Sequence, residues 1–185
     1  MIYEFLAPGF EECEALGILD SVRRAGLDIC TVSLGDTDDQ LAVEGAHGVK
    51  IVADRLFIDC DGFSDAEMIV LPGGMPGAVN LFEFKPLCEL IKMHHEAGKA
   101  LAAICAAPFV LGRLGVLQGK RATCYPGFEN ELAGATPTGN MVEVDGEILT
   151  GKGPAAAYQL GYAIIEYFKG KDAAYQVAKG MLMAN

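Results

Sequence analysis

The stretch Ala100-Leu101-Ala102-Ala103-Ile104-Cys105-Ala106-Ala107-Pro108 decides how this chain is read. Ala100–Ile104 is apolar throughout, as a strand covered on both faces must be, and it runs directly into a cysteine. Pro108 suits the first turn of a helix, predicted from about Pro108 to Leu114. Strand, tight turn and helix place Cys105 at an elbow, a geometry that exposes a nucleophile and tolerates only small neighbours. Ala102, Ala103, Ala106 and Ala107 supply them. A helix N-terminus favours negative charge, so the thiol is expected below its ordinary pKa of about 8.5. A packing cysteine and a nucleophile both fit these residues.

Outward from the elbow, short β-rich runs alternate with amphipathic helices, the pattern of a layered α/β fold. Ile2–Leu6 reads as the first strand and ends in the turn Ala7-Pro8-Gly9. A helix follows from about Glu11 to Ala25, with Cys13, Leu16, Leu19 and Val22 as its apolar stripe and Gly26 at C′. Ile29–Leu34 and Val49–Val52 read as extended. Met68–Leu71 is a second continuous apolar run, closed by Pro72-Gly73-Gly74. A helix spans Phe84–Ala97. Val142–Val144 and Glu147–Thr150 flank Asp145-Gly146 as a hairpin. Helices at Ala155–Phe168 and Asp172–Met183 follow. The simplest assembly is one domain over 1–185, a mostly parallel sheet with helices on both faces and one antiparallel hairpin.

The 185 residues suit a single domain, and half of them are hydrophobic, enough to fill a core without a disulfide or metal staple. No window reaches the roughly 18–20 apolar residues of a membrane span. The N-terminus lacks the basic start and apolar run of a signal peptide, so a cytoplasmic protein is expected. Net charge is −11, from 25 acids against 14 bases, and no basic stripe offsets it. That field repels a phosphate backbone, which argues against nucleic-acid partners. The six cysteines are too widely spaced for a CxxC redox or zinc motif.

In open parallel sheets, sites form beyond the carboxyl ends of the strands. Three such ends carry suggestive residues: Glu11, Glu12 and Glu14 after the first strand, Gly73-Gly74 after the Met68 run, and Cys105-Ala106. Backbone N–H groups of Gly73, Gly74 and Ala106 are candidates to hold an oxyanion beside the thiol.

APGFEECEA at 7–15, VLPGGMPGA at 70–78, AAICAAP at 102–108 and LTGKGPA at 149–155 occur in the order and spacing of the ThiJ/PfpI superfamily. Over essentially its whole length, the chain resembles the Parkinson-associated deglycase branch. The resemblance implies a flavodoxin-like three-layer sandwich with a nucleophile elbow, a homodimer, and an oxidation-prone Cys105 partnered by Glu14. A protonated Glu14 then donates a hydrogen bond to the Cys105 thiolate. It also implies cofactor-independent glyoxalase or deglycase chemistry on small aldehydes such as methylglyoxal and glyoxal, or on their adducts. An oxidative-stress sensor or chaperone, in which Cys105 becomes a sulfinic acid, is the alternative reading.

The chain departs from part of that family. Many members place a histidine near the cysteine after the next strand, where this sequence reads Ala122-Thr123-Cys124-Tyr125-Pro126. Tyr125 stands at the histidine position; its hydroxyl is a weak base, although it can donate or accept a hydrogen bond. Cys124 reads as packing, or as a resolving thiol if it lies close to Cys105. Protease-like members carry a histidine directly after the nucleophile, whereas Ala106 stands there, so an intracellular protease or amidase is the weakest reading.

Other signals fall away. Gly146…Gly151-Lys152 spells GxxxxGK, but Gly153 stands where Ser or Thr should follow. GxGxxA at 151–156 has too little chain after it for a βαβ unit. His94 and His95 read as solvated helix-end residues and His47 as isolated, so no metal and no cofactor are expected.

Overall fold

The two continuous apolar runs pair in parallel near the middle of a seven-stranded sheet. The computed structural model describes residues 1–184. Its first half comprises β1 (Ile2–Leu6), α1 (Glu12–Arg24), β2 (Ile29–Ser33), β3 (Ala42–Glu44), β4 (Lys50–Val52), β5 (Arg55–Leu56), β6 (Met68–Leu71), α2 (Gly77–Glu83) and α3 (Lys85–Glu96). There follow β7 (Ala100–Ile104), α4 (Pro108–Arg113), β8 (Arg121–Ala122), β9 (Thr136–Pro137), β10 (Val142–Asp145), β11 (Ile148–Gly151), α5 (Ala157–Lys169) and α6 (Lys171–Gly180). The main sheet runs β10-β11-β7-β6-β1-β2-β5, and only β10 is antiparallel to its neighbour. β3–β4 and β8–β9 are separate small pairs.

β1, β2, β6, β7 and β11 are buried along their whole length, because helices cover both faces. On one face, Ile18 and Val22 of α1 and Leu160 and Ile164 of α5 pack over Ile2, Met68 and Val70. On the other, Leu81, Leu87, Ile91 and Phe109 from α2, α3 and α4 pack over Phe5, Ile69 and Leu101. The expected flavodoxin-like three-layer sandwich is the fold observed.

The buried stripe of α1 differs from the predicted one. Cys13 and Leu16 are exposed, and the inward face carries Glu14, Ala15, Gly17, Ile18, Ser21 and Val22. Small residues choose that face because α1 lies almost against α5. A Cβ on Gly17 would stand 2.9 Å from the Ala157 Cβ, and one on Gly161 would stand 2.7 Å from the Ser21 Cβ. Hydrophobicity alone therefore picks the wrong side. The hairpin also turns one residue later than expected. Asp145 pairs with Ile148, leaving Gly146-Glu147 as the loop, with glycine at φ +65° in its first position. α2 and the partner strand β3 of the Val49–Val52 segment carry too few residues for periodicity to signal them. His94 is not solvated: it is buried, with Nε2 3.0 Å from the Ala100 carbonyl oxygen at the start of β7.

Glu4 violates the pattern of its own strand. It sits mid-β1, fully buried, and neither carboxyl oxygen has a hydrogen-bond partner among the described residues. Burial pushes its pKa well above the ordinary carboxyl range, with Arg23 drawing it down and Asp54 adding to the rise. The folded state thus holds a proton that the unfolded chain releases above about pH 4.3. Stability attributable to this group falls as pH rises from there through the folded pKa. Replacing Glu4 by Leu is expected to stabilise the fold by about 2 kcal/mol at neutral pH, since it removes an unpartnered buried polar group. Thermal melts should show a larger gain at pH 8 than at pH 5; a gain independent of pH would contradict this account.

Candidate active site

β7 ends at Ile104, and the next residue takes a left-handed backbone, φ +63° at Cys105, before α4 starts at Pro108. A side chain in that conformation costs about 1–3 kcal/mol and persists only where its surroundings enforce it. Two hydrogen bonds do so here. The Cys105 N–H donates to the Gly151 carbonyl at the end of β11 (2.9 Å), and the Cys105 carbonyl accepts from Tyr125 N–H (2.8 Å). The residue is left 8% exposed and its thiol is largely desolvated.

Glu14 reaches the thiol through a second latch, built at the start of α1. Glu11 is the N-cap, and its side chain accepts the Glu14 N–H at 2.7 Å. The Glu11 N–H donates to the Gly73 carbonyl (3.0 Å), and the Gly73 N–H donates to Glu14 Oε2 (2.8 Å). The loop after β6 and the first turn of α1 are thereby locked together. The other oxygen, Oε1, has no hydrogen-bond partner among the described residues, and the Cys105 side chain is the neighbour whose ionisation couples to the carboxyl. Only glycine fits at 73, where a Cβ would lie 2.6 Å from the Cys105 Cβ and 2.7 Å from Glu14 Oε2.

The electrostatics revise the sequence expectation for the thiol. Burial pushes Glu14 up to about 7, against the lowering pull of its hydrogen bonds from Cys105 and Gly73. Burial, then the charge and hydrogen bond of Glu14, push Cys105 up to about 12, while the amides of Gly74 and Ala106 pull it down. The pull of these amides does not offset burial and Glu14. Glu14 and Cys105 form a coupled pair that carries one negative charge readily and refuses a second. A thiolate exists here only while Glu14 keeps its proton.

The remaining predicted residues divide. Gly74 and Ala106 offer their amides to the sulfur, whereas the Gly73 amide is committed to Glu14 and is not free for an oxyanion. The Tyr125 ring is 47% exposed and lies 3.3 Å from where a Gly153 Cβ would stand, so it flanks the elbow at the surface. Cys124 is buried in the core cluster that holds Phe109 and Leu132, whereas Cys105 belongs to the cluster across the sheet. In the sequence, Glu11 and Glu12 stand after the first strand without partners. Glu12 instead accepts the N–H groups of His47 (2.7 Å) and Val49 (3.3 Å) and meets His47 Nδ1 at 2.8 Å, so His47 is not isolated. The three-residue group Glu11, Glu12 and His47 has ligand-like spacing, but these contacts already occupy its carboxylates. No helix among the described residues is long and apolar enough to cross a membrane.

Residues 1–167 match the profile of the DJ-1/PfpI family. The chain is 39% identical over 180 residues to protein DJ-1 homolog B of Arabidopsis thaliana, covering 96% of this chain and 40% of that protein. It is 35% identical over 183 residues to protein dj-1beta of Drosophila melanogaster, covering 97% and 95% of the two chains. It thus spans less than half the length of the Arabidopsis relatives it matches. Among solved structures, oxidized Toxoplasma gondii DJ-1 superposes with a TM-score of 0.92 at 34% identity, over 100% of this chain and 98% of that one.

The shared charge makes a pH prediction. Alkylation of Cys105 by iodoacetamide should rise with a midpoint well above the ordinary thiol value, because burial and Glu14, ionised from about pH 7, hold the thiol protonated. In Glu14→Leu the charge and hydrogen bond that push the thiol up are gone, and the midpoint should move down by about one unit or more. An unmoved midpoint, read by mass spectrometry of the Cys105 peptide, would show that Glu14 does not govern the thiol.

Proposed function

The chain belongs to the DJ-1/PfpI family, and from that premise we propose that it is a cofactor-independent, Cys105-dependent enzyme of glyoxalase or deglycase type. Its substrates are 2-oxoaldehydes such as methylglyoxal and glyoxal, or their adducts. The observation that carries this reading is the elbow thiol at φ +63° facing a carboxyl whose pKa is raised to about 7. A general acid–base group works best with a pKa near the operating pH.

The chemistry follows from those two groups. Cys105 thiolate attacks the aldehyde carbon, a C–S bond forms, and the C=O π pair moves to oxygen. Glu14 gives that oxygen its proton, and the Gly74 and Ala106 amides favour the developing charge. The Glu14 carboxylate then takes the C1 proton as the electron pair moves toward C2 and returns it to C2, while the C1 hydroxyl proton passes to the C2 oxygen. The product is a thioester of a 2-hydroxy acid. Water adds to its carbonyl, and the C–S bond breaks to release the acid and the thiol. The sum is 2-oxoaldehyde plus water to 2-hydroxy acid, with no net redox change. Tyr125 offers a hydrogen-bonding hydroxyl at the mouth in place of a histidine.

The same reading includes a homodimer, supported by apolar side chains left in solvent on and beside α1, Leu16 and Val49 among them. Methylglyoxal should yield lactate without glutathione, and Cys105→Ser should abolish it. Turnover no greater than in buffer alone would end the enzymatic reading.

A second reading is favoured by one comparison: the closely superposing Toxoplasma structure is of an oxidized protein. Cys105 then acts as a peroxide sensor or as the switch of a stress chaperone. Mild peroxide should place sulfinic acid on Cys105 ahead of Cys30, Cys88 and Cys124. Uniform oxidation of all six cysteines, measured by peptide mapping, would count against it.

A further inference from the structure

Away from the elbow, beyond the carboxyl end of β2, lies a cavity of about 870 Å³. The chain from Ser33 to Glu44, the 57–60 turn and the start of α3, with Pro8 and Lys50, line this open cleft. Its volume is that of a small-molecule site. Cys105, Glu14, Gly74 and Tyr125 are not among its lining residues.

Part of the wall is apolar, and two aromatic rings stand in it. Phe57 and Phe84 meet edge to face at 5.0 Å, and both line the cavity. They end a chain of ring contacts that runs inward through Phe63 to Tyr3 and Phe5. Phe57 and Phe84 are only half-buried. A flat aromatic occupant would continue the stack with the same offset or edge geometry.

The rim has the opposite character. Asp36, Asp39 and Glu44 face Lys50 alone, and that lysine is 3.6 Å from Glu44. Asp36 and Asp39 have no ion pair among the described residues. The lining therefore carries two uncompensated negative charges above an aromatic floor. We propose that this cavity binds a small aromatic ammonium compound, its ring against Phe57 and Phe84 and its cationic nitrogen toward Asp36 and Asp39. Charge selects the cation, and the rings select its body; neither requirement uses the Cys105 chemistry.

The chain has no tryptophan, so an indole probe can be followed by its own fluorescence anisotropy. Tryptamine, neutral tryptophol and anionic indole-3-propionate share one ring and differ in charge. At about 0.15 M salt, where distant surface charges are screened, tryptamine should bind about fivefold tighter than tryptophol, and indole-3-propionate weakest. Asp36→Asn with Asp39→Asn should abolish the preference for the cation and leave tryptophol binding unchanged. Glu166→Gln with Asp172→Asn makes the same charge change elsewhere and should keep the preference. Ala42→Phe, at an exposed lining position, should weaken all three ligands, and Cys105→Ser should weaken none. Equal binding of the three probes, insensitivity to Ala42→Phe, or loss in Cys105→Ser would overturn the proposal. Failure of methylglyoxal turnover would leave it standing.

Discussion

The left-handed backbone at Cys105 is the constraint around which the site is assembled. A non-glycine residue enters that region only when other parts of the chain fix both sides of it. Here the clamps come from β11, through Gly151, and from the segment at Tyr125. The elbow thus depends on strands distant in sequence being correctly paired. Once β7 lies between β6 and β11, the thiol has one place to go, and that place is beside Glu14.

The second requirement is close approach. The loop after β6 has to pass between Glu14 and Cys105, and only a residue without a Cβ fits there. Gly73 thereby sets the separation of the acid and the sulfur, while its amide orients the acid. The charge chemistry follows from this geometry. Two acidic groups in one desolvated space share a single negative charge, so burial, which disfavours ionisation in each group alone, makes them a proton-exchanging pair.

Much of this was legible in the sequence, for a physical reason. The two apolar runs and the small residues around Cys105 are local signals, and local signals gave the parallel sheet and the elbow. The pairing of Glu14 with Cys105 was legible only through four motifs in register, because nothing local links residues so far apart. What escaped was what depends on partners across space. The buried face of α1 is set by Gly17 and Ser21 against α5, so the stripe drawn from Cys13 and Leu16 pointed outward. Nothing local showed the partners of Glu11 and Glu12, yet one caps Glu14 and the other anchors the turn at His47. The lowered thiol pKa expected from the helix N-terminus ignored the burial that the same elbow imposes. Glu4 was silent for the same reason, since an acid in a strand reveals its cost only when the strand proves central.

The crossing of α1 with α5 also bears on how the chain is made. Gly17 meets Ala157 and Gly161 meets Ser21, contacts that join the first eighth of the chain to its last fifth. Synthesis runs from the N-terminus, so α1 and the strands beneath it leave the ribosome long before their helical cover exists. Until α5 emerges, half of the sheet face over Ile2, Met68 and Val70 lacks its lid. The face that later shelters the reactive cysteine is therefore, during translation, among the last to be covered.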